Sequence, residues 1–474
     1  MRVLIISTYD LGTQPLIPAR LKASLKAGGH GAKAVDLSVS AMDPGDLSWA
    51  DAVILFIPMH TALSLAKELA ETIRSEREDL PFCFFGLYAP AAYGAKLLSP
   101  GDIAIAGDNF TTLFAWLDSF SAKNAFRSEG GSLRIDLGPP KQLFRLPPDR
   151  TDFLPLDNYL HYLEGDVSKT VATLETVSGC SHKCRHCPVP VVYGGRTRPT
   201  PEAEILADAA QQIAQGASHI HFSDPDFFNR PAYSLGIMEK LKKLYPDLTF
   251  DATIKISHLL KYETLLPWLA KQGCTLVITA LEQVNDRTLA ILDKGHTKSD
   301  ARRAFRLLRQ VGIEPRPSLL PFTPWTTAND LVELADFVAE NDLAANIDPV
   351  QWSIRLLIPP GSLLSEEEVD MPPGVLEEQE ESLSRGWHSP DPRLDGLAAE
   401  IGNLAEKIAG IPPREAYLAV RKLIFSALGI PYYETETDGD LASPIPETDR
   451  PRLSENWFCC AVPTGDQMSK MSCH

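Results

Sequence analysis

No run in this 474-residue sequence stays apolar for the roughly 18 residues that a membrane-spanning helix needs. The apolar segment within Met1–Asp10 is also too short for the core of a signal peptide. Neither a spanning helix nor a secretory leader is expected, and the chain reads as cytoplasmic. Basic residues are outnumbered, 45 Lys and Arg against 62 Asp and Glu, for a formal net charge of −17. That balance argues against a nucleic-acid backbone, a polyanion that proteins hold by neutralising its phosphates. A small molecule or a peptide is the expected substrate. Cysteine is sparse at 8 residues. In a reducing compartment those thiols read as metal or catalytic ligands plus a few core residues, not as disulfides. The rest is ordinary globular material, 44% hydrophobic and 23% charged, in a length that accommodates two or three domains.

Three of the cysteines fall within one short stretch, Gly179-Cys-Ser-His-Lys-Cys-Arg-His-Cys-Pro188. The C-x3-C-x2-C spacing of Cys180, Cys184 and Cys187 suits a cubane iron–sulfur cluster: three thiolates take three irons and leave the fourth open to a substrate. Structural zinc is a second reading, with His182 or His186 as a further ligand, although no other C-x2-C pair lies nearby to complete the usual knuckles. A disulfide with one spare thiol is a third.

Around this loop the chain divides into segments. Arg2 to Ser7, Asp51 to Ile57 and Phe82 to Gly86 are short apolar runs of the kind buried in parallel sheets, and Ile103 to Gly107 closes the series. Ile17 to Ala27 and Ala62 to Glu76 carry helical periodicity between them. The order predicts an α/β fold that begins with a small doubly wound, Rossmann-like sheet over residues 1–150, linker included, with loops 8–15 and 58–62 on its binding edge. Residues 109–167 are proline-rich with few periodic elements. Residues 168–362 alternate strand and helix as a partial (β/α)6 barrel does, with strands at Thr170 to Thr176, from His219, at Phe250 to Ile256, Leu276 to Leu281, Arg316 to Pro321 and Asp348 to Ile358. The cysteine loop leaves the carboxyl end of the first, where barrel enzymes place their chemistry. Cys83 and Cys274 sit in apolar elements and read as core. Residues 363–430 carry two helices, Leu394 to Ala409 and Pro413 to Leu428, expected to cover the open side of the barrel. Residues 431–474, rich in Pro, Asp, Thr and Ser, read as a flexible tail, yet they hold Trp457-Phe-Cys-Cys-Ala-Val-Pro463 and Cys473.

Together these stretches resemble the radical S-adenosylmethionine (SAM) superfamily, and within it the group known for a CUAEP or CCAEP tail. The match is carried by the cysteine loop, by Phe222-Ser-Asp-Pro-Asp-Phe227, Asp293-Lys-Gly-His-Thr297, Pro321-Phe-Thr-Pro-Trp-Thr-Thr327 and Asp348-Pro-Val-Gln351, and by Cys459-Cys-Ala-Val-Pro463, where Val462 replaces the acidic residue of the tail motif. The resemblance implies a [4Fe–4S] cluster on Cys180, Cys184 and Cys187, SAM chelated at the open iron, and a reductant such as flavodoxin or ferredoxin. It implies that His186 lies against the adenine. It also implies that Phe222 and Asp224 belong to an F-x-D-x-x-F element whose carboxylate binds the SAM ammonium, and that Glu282 is a polar residue near SAM. Arg316, on an inward-pointing strand, is a candidate partner for the SAM carboxylate. Plainer readings stand beside these: Asp224 and Asp226 as caps of the next helix, and Arg316 as an edge-strand arginine.

The first segment looks like the cobalamin-binding domain that precedes the barrel in B12-dependent members. Tyr9-Asp-Leu-Gly-Thr-Gln-Pro15 lacks the cobalt-ligating histidine of the D-x-H-x-x-G pattern, and Gly86-Leu87 replaces the usual Gly-Gly. A domain that binds cobalamin and one that keeps only the fold are both open. The tail likeness extends to an arsinothricin-forming branch, which joins the 3-amino-3-carboxypropyl part of SAM to trivalent arsenic. By that likeness Cys459, Cys460 and Cys473 are catalytic thiols that hold arsenite, soft sulfur for a soft centre; a redox or metal-binding pair is the other reading of Cys459 and Cys460. The alternative activity is that of a cobalamin-dependent methyltransferase acting on an unactivated carbon.

Overall fold

Strands that are apolar on both faces need cover on both faces, and β/α alternation supplies it. The computed structural model describes residues 1–121, 131–135, 146–366, 369–377, 383–408, 410–457 and 459–471. The first unit runs β1 (Arg2–Ser7), α1 (Leu16–Ala27), β2 (Gly31–Asp36), α2 (Pro44–Trp49), β3 (Ala52–Phe56), α3 (His60–Glu76), β4 (Phe82–Gly86), α4 (Ala89–Gly94), β5 (Ile103–Ala106), α5 (Phe110–Ser121) and β6 (Ser132–Ile135). Its strands form one parallel sheet in the order β2-β1-β3-β4-β5-β6. The chain winds outward in both directions from β1 and β3, so the topological switch point lies between those two strands.

Two of these strands escape the apolar-run criterion. The edge strand β2 buries only alternate residues of Gly-Ala-Lys-Ala-Val-Asp. The other, β6, lies with α5 in a stretch expected to hold few elements, although Phe110, Leu113, Trp116 and Leu117 of α5 pack into the core.

The second unit comprises β7 (His161–Glu164), β8 (Val167–Leu174), β9 (Val177–Gly179), α6 (Pro188–Tyr193), β10 (Thr197–Pro199), α7 (Glu202–Ala214), β11 (His219–Phe222), α8 (Pro231–Leu244), β12 (Thr249–Thr253), α9 (Ile256–Lys261), α10 (Leu266–Lys271), β13 (Cys274–Glu282), α11 (Asp286–Ile291), α12 (Lys298–Gln310), β14 (Glu314–Leu319) and α13 (Ala328–Glu340). Parallel strands β8, β11, β12, β13 and β14 make the open barrel, and β7 pairs antiparallel on the outer side of β8.

The expected sixth strand, Asp348 to Ile358, is a 3-10 turn at Pro349–Ser353 and a single bridge between Phe322 and Arg355. Pro349 opens the turn and has no N–H for a ladder. Gln351 instead offers its side-chain oxygen to the Leu319 N–H at 2.9 Å, which satisfies the edge of β14.

The chain continues through α14 (Leu363–Glu366), α15 (Pro392–Lys407), α16 (Pro413–Leu428), β15 (Arg452–Leu453) and α17 (Gly465–Ser469). As expected, α15 and α16 cover this flank of the barrel, joining Trp352 in its core. Among the described residues no helix is long and apolar enough to cross a membrane.

The tail is not loose. Tyr433 and Thr435 donate to Asp336 at 2.6 and 2.8 Å, Arg309 binds the Leu441 carbonyl, and Arg450 donates to Asp342 at 2.5 Å and Asn346 at 3.1 Å. β15 then extends the barrel sheet on β7. Composition misled the expectation of flexibility because these anchors are buried arginines on polar partners, not an apolar stripe. Cys473 lies outside the described residues.

The two units are joined by dry charge pairs. Arg20 of α1 binds Glu175 and Glu204, each at 2.7 Å. Arg150 holds Asp208 through two bonds of 2.8 and 2.9 Å and donates to the Gln14 side chain at 3.0 Å and the Thr173 carbonyl at 3.1 Å. The Arg150 and Asp208 side chains are only 1% and 3% exposed, so removing one partner strands a buried charge. Arg150→Met should lower the unfolding free energy by about 3–5 kcal/mol, read as a fall in the urea midpoint; a loss below about 1 kcal/mol, the worth of a surface pair, would contradict this role.

Candidate active site

The strand end that feeds the cysteine loop is pinned before the first cysteine. Asp224, just after β11, accepts from Thr176 N at 2.8 Å, Thr176 Oγ1 at 2.5 Å and Val177 N at 2.8 Å. β9 then pairs antiparallel with β10, closing off the segment that carries the loop. Gly179, at φ +78°, is the pivot: a Cβ there would meet the Arg196 carbonyl oxygen at 2.3 Å, so the turn admits only glycine.

Asn229 holds the next residues. Its Oδ1 accepts from Ser181 N at 3.2 Å and Ser181 Oγ at 3.0 Å and lies 3.7 Å from Cys180 Sγ, while its Nδ2 donates to the Gly179 carbonyl at 3.3 Å. The loop's second half is tied to the end of α11 by Arg185, which donates from its backbone to Leu292 O at 3.0 Å and from its side chain to Ile291 O at 2.6 Å. Cys187 N donates to Cys184 O at 3.1 Å and caps α6, with Pro188 at the first helical position.

Cys180, Cys184 and Cys187 are close enough to act on one another electrostatically. Burial, then the neighbouring sulfurs, pushes Cys187 up to about 12, and burial raises Cys180 as well. A metal reverses that preference, because it binds the thiolate. Cations stand ready to offset the charge: Lys255 Nζ lies 3.4 Å from Cys184 Sγ, and the buried Lys294 acts on both Cys184 and Cys187. Three soft donors on one loop with ammonium groups beside them fit an iron–sulfur cluster with three protein ligands.

Of the other residues predicted for the site, two meet at this loop. Glu282 Oε1 lies 3.2 Å from His186 Nε2 and 3.0 Å from Lys294 Nζ. Burial pushes the Glu282 carboxyl up, but Lys294 and His186 outweigh it and hold the group well below the usual carboxylate range. Glu282 sits at φ +64°, where the β13–β14 register shifts, a strained turn of the kind found where a side chain is aimed at a site.

Phe222, Asp224 and Arg316 are otherwise engaged. Phe222 is fully buried against Phe227 and Phe250. Asp224 has both oxygens on the strand end, and burial lifts its carboxyl to about 7. Arg316 is bound to Asp348 at 2.6 and 2.8 Å. In this arrangement the implied cofactor contacts of these three are replaced by structural ones. The carboxylate turned toward the loop is Asp226, which also caps Phe228 N at 2.9 Å.

The tail brings its thiols to the same place. At the head of α3, Thr61 N donates to Cys459 O at 3.2 Å, and Thr61 Oγ1 lies 3.1 Å from Cys459 O and 2.9 Å from Ala461 O. Glu455 packs on Gly12, Lys470 donates to Ser38 O at 2.7 Å, and Met471 is buried in the first unit's core. Residues 455–457 and 459–471 thereby lie along the carboxyl ends of β1 to β3, across the switch point. The Cys459 and Cys460 sulfurs are 3.6 Å apart. The Cys460 thiol is raised by its hydrogen bond to Cys459 and by burial, with further contributions from Glu282 and Cys187; Tyr88 is raised by burial and by Cys460. Asn229, Thr61, Tyr88 and Glu455 belong to no motif. Only Thr61 had a signal, its place in the 58–62 loop at the sheet's binding edge.

Residues 174–338 match the model of the radical SAM superfamily. The chain therefore contains a segment similar to the radical SAM domain. Such a segment implies a [4Fe–4S] cluster and SAM as cofactors. The chain is similar to ribosomal protein uS12 methylthiotransferase RimO of Chlorobium phaeobacteroides, with 24% identity over 177 residues, 35% of this chain and 40% of that protein. It is also similar to bacteriochlorophyllide d C-12(1)-methyltransferase of Chlorobaculum tepidum, with 29% identity over 135 residues and 28% of each chain. The chain thus spans less than half the length of these curated relatives.

Among solved structures the fold is similar to the cobalamin-dependent SAM radical enzyme OxsB with aqua-cobalamin bound, at TM-score 0.60 and 16% identity over 86% of this chain and 67% of that one. It is equally similar to the radical SAM methyltransferase TsrM of Kitasatospora setae with cobalamin and a [4Fe–4S] cluster bound, at TM-score 0.60 and 16% identity over 90% and 89% of the two chains. What is shared at this identity is the architecture of sheet followed by barrel.

For cobalamin itself, the switch-point crevice is partly covered by the tail through Thr61, Gly12 and Ser38, beside a cavity of about 250 Å³ lined by Thr8, Tyr9, Ser38, Glu455 and Lys470. A corrin at that place competes with the seated tail.

The Asp224 clamp is testable. Asp224→Asn swaps an acceptor for a donor against Thr176 and Val177, which should cost about 1–3 kcal/mol and lower the iron retained per chain while leaving SAM affinity per remaining cluster unchanged. Full iron content with selective loss of SAM binding, measured by calorimetry, would instead place Asp224 on the cofactor.

Proposed function

We propose that this chain is a radical SAM enzyme and moves a SAM-derived carbon group onto a soft, thiophilic atom held by its tail: the 3-amino-3-carboxypropyl group, onto trivalent arsenic supplied as arsenite. The observation that carries the reading is the position of the adjacent thiols, with Cys459 and Cys460 3.6 Å apart and Cys460 within the electrostatic reach of Cys187 and Glu282. When bound to Cys180, Cys184 and Cys187, the cluster supplies one electron to the sulfonium of SAM.

The chain's own residues do the remaining work. Lys255 and Lys294 offset thiolate charge, and Glu282, oriented by Lys294 and His186, offers a carboxylate to the polar groups of SAM. Thr61 anchors the tail so that an atom on the two sulfurs stays near the place where SAM is cleaved. The new bond is carbon to arsenic and the bond broken is arsenic to sulfur. The thiyl released returns to thiol with a second electron, from the reductant, and a proton.

A second reading, cobalamin-dependent methylation of an unactivated carbon, draws support from the likeness to OxsB and TsrM. His60, beside Tyr88, has a buried Nδ1 without a hydrogen-bond partner. This reading requires the tail to leave the crevice.

Anaerobic turnover with SAM, dithionite and arsenite, followed by chromatography with arsenic-specific detection, tests the first reading. An organoarsenical should appear together with methylthioadenosine. In a Cys459→Ser, Cys460→Ser chain SAM should still be consumed while the organoarsenical falls about 100-fold, the scale of losing substrate positioning. Product formation that survives the double substitution contradicts the thiol reading; methyl transfer that depends on added cobalamin supports the second.

A further inference from the structure

Three side chains beside the cysteine loop converge without being used by it. His182 belongs to the loop itself, Asp226 follows β11, and His258 lies in the first turn of α9. One donor atom from each lies within 4.8 Å of the others. Asp226 Oδ2 is 2.7 Å from His258 Nδ1 and 3.7 Å from His182 Nε2. The Asp226 and His258 side chains are 3% and 9% exposed.

We infer that His182, Asp226 and His258 form a mononuclear site for a borderline divalent cation, zinc or ferrous iron, distinct from the cluster cysteines. The inference does not depend on the arsenic reading. Its second support is a mismatch: Asp226 Oδ2 and His258 Nδ1 are both buried and close, yet they are not aligned for a hydrogen bond and neither has another partner. Buried polar atoms are nearly always satisfied, and a buried carboxylate oxygen left over is costly.

Two orphaned atoms side by side are satisfied together by one cation between them. At metal–ligand lengths of about 2.0–2.2 Å, donors 2.7 and 3.7 Å apart fit on a single ion. Two imidazoles and one carboxylate select zinc or ferrous iron over the hard cations, which prefer oxygen, and leave coordination positions open.

The alternative is a hydrogen-bonded row, since His182 Nε2 also lies 3.1 Å from His258 Nε2; such a row leaves the Asp226–His258 contact unexplained. The nearby cation Lys255 is turned to Cys184. An ion in this place ties the first turn of the cysteine loop to the ends of β11 and β12, giving the loop an anchor that does not depend on cluster iron.

Zinc alone is the probe. The tail thiols also bind it, so the titration belongs in the Cys459→Ser, Cys460→Ser chain with its cluster reconstituted, using a competing chromophoric chelator and metal analysis. One zinc per chain should bind beyond the cluster iron and stay bound at saturating SAM. Asp226→Asn and His258→Ala should each weaken zinc by about 100-fold, the upper scale for losing a shell partner. Unchanged cluster iron and an unchanged charge-transfer band certify that each variant has kept its fold. Equal zinc affinity in the parent and both variants overturns the site. Release of the zinc by SAM also overturns it, and assigns the three side chains to SAM.

Discussion

One buried and two half-buried thiols beside a buried lysine, at the joint between two sheets, cannot be stabilised as an apolar core, and the rest of the molecule is arranged around that constraint. The loop holding Cys180, Cys184 and Cys187 is tied down at several points by groups from other elements: Asp224 before it, Gly179 at its pivot, Asn229 over its first turn, and the last carbonyls of α11 on its far side. Apart from the Gly179 pivot each tie is polar, and each satisfies a backbone group that would otherwise have to be exposed to water. Lys255 and Lys294 add the positive charge that three thiolates need in a medium of low polarity.

The same joint explains the tail. An open parallel sheet leaves a crevice at its switch point, and ligands commonly bind there. Here the chain's own residues 455–457 and 459–471 lie at that place through Thr61, Gly12 and Ser38, and they carry two adjacent thiols with them. Architecture is shared with OxsB and TsrM at 16% identity, and one fold can serve different sites. Upstream, the tail is held by arginines on carbonyls and carboxylates, so a composition too polar to form a core still packs in a defined course.

Much of this was legible in the sequence, for identifiable reasons. Fully apolar runs located β1, β3, β4 and β5 because a strand covered on both faces carries no polar residue. The cysteine spacing located the loop, and Glu282 and His186, both put forward as SAM contacts, lie beside it and 3.2 Å from each other. The edge strand β2 was hidden by its alternating burial, and the sixth barrel position was misjudged because Gln351 replaces a backbone partner with a side-chain one. Motif matching put Asp224 forward, but spacing along a strand end does not reveal which of two nearby carboxylates turns toward the loop. In the structure Asp224 serves the backbone and Asp226 faces His182. Thr61 was marked only by its place in the 58–62 loop and Asn229 by nothing: their roles depend on residues 398 and 48 positions away.

The central claim is that the tail seats its thiol pair in the crevice beside the cysteine loop. Amide hydrogen exchange of the full chain, resolved at Thr61 and across residues 459–463, tests it most directly. The account predicts that the Thr61 amide, bonded to the Cys459 carbonyl, is protected together with the tail, and that Thr61→Val, which removes the hydroxyl bonds to Cys459 and Ala461, speeds exchange through 459–463 while the strands of the first sheet stay protected. Exchange of 459–463 at the rate of an unstructured chain in the unmodified protein would contradict it.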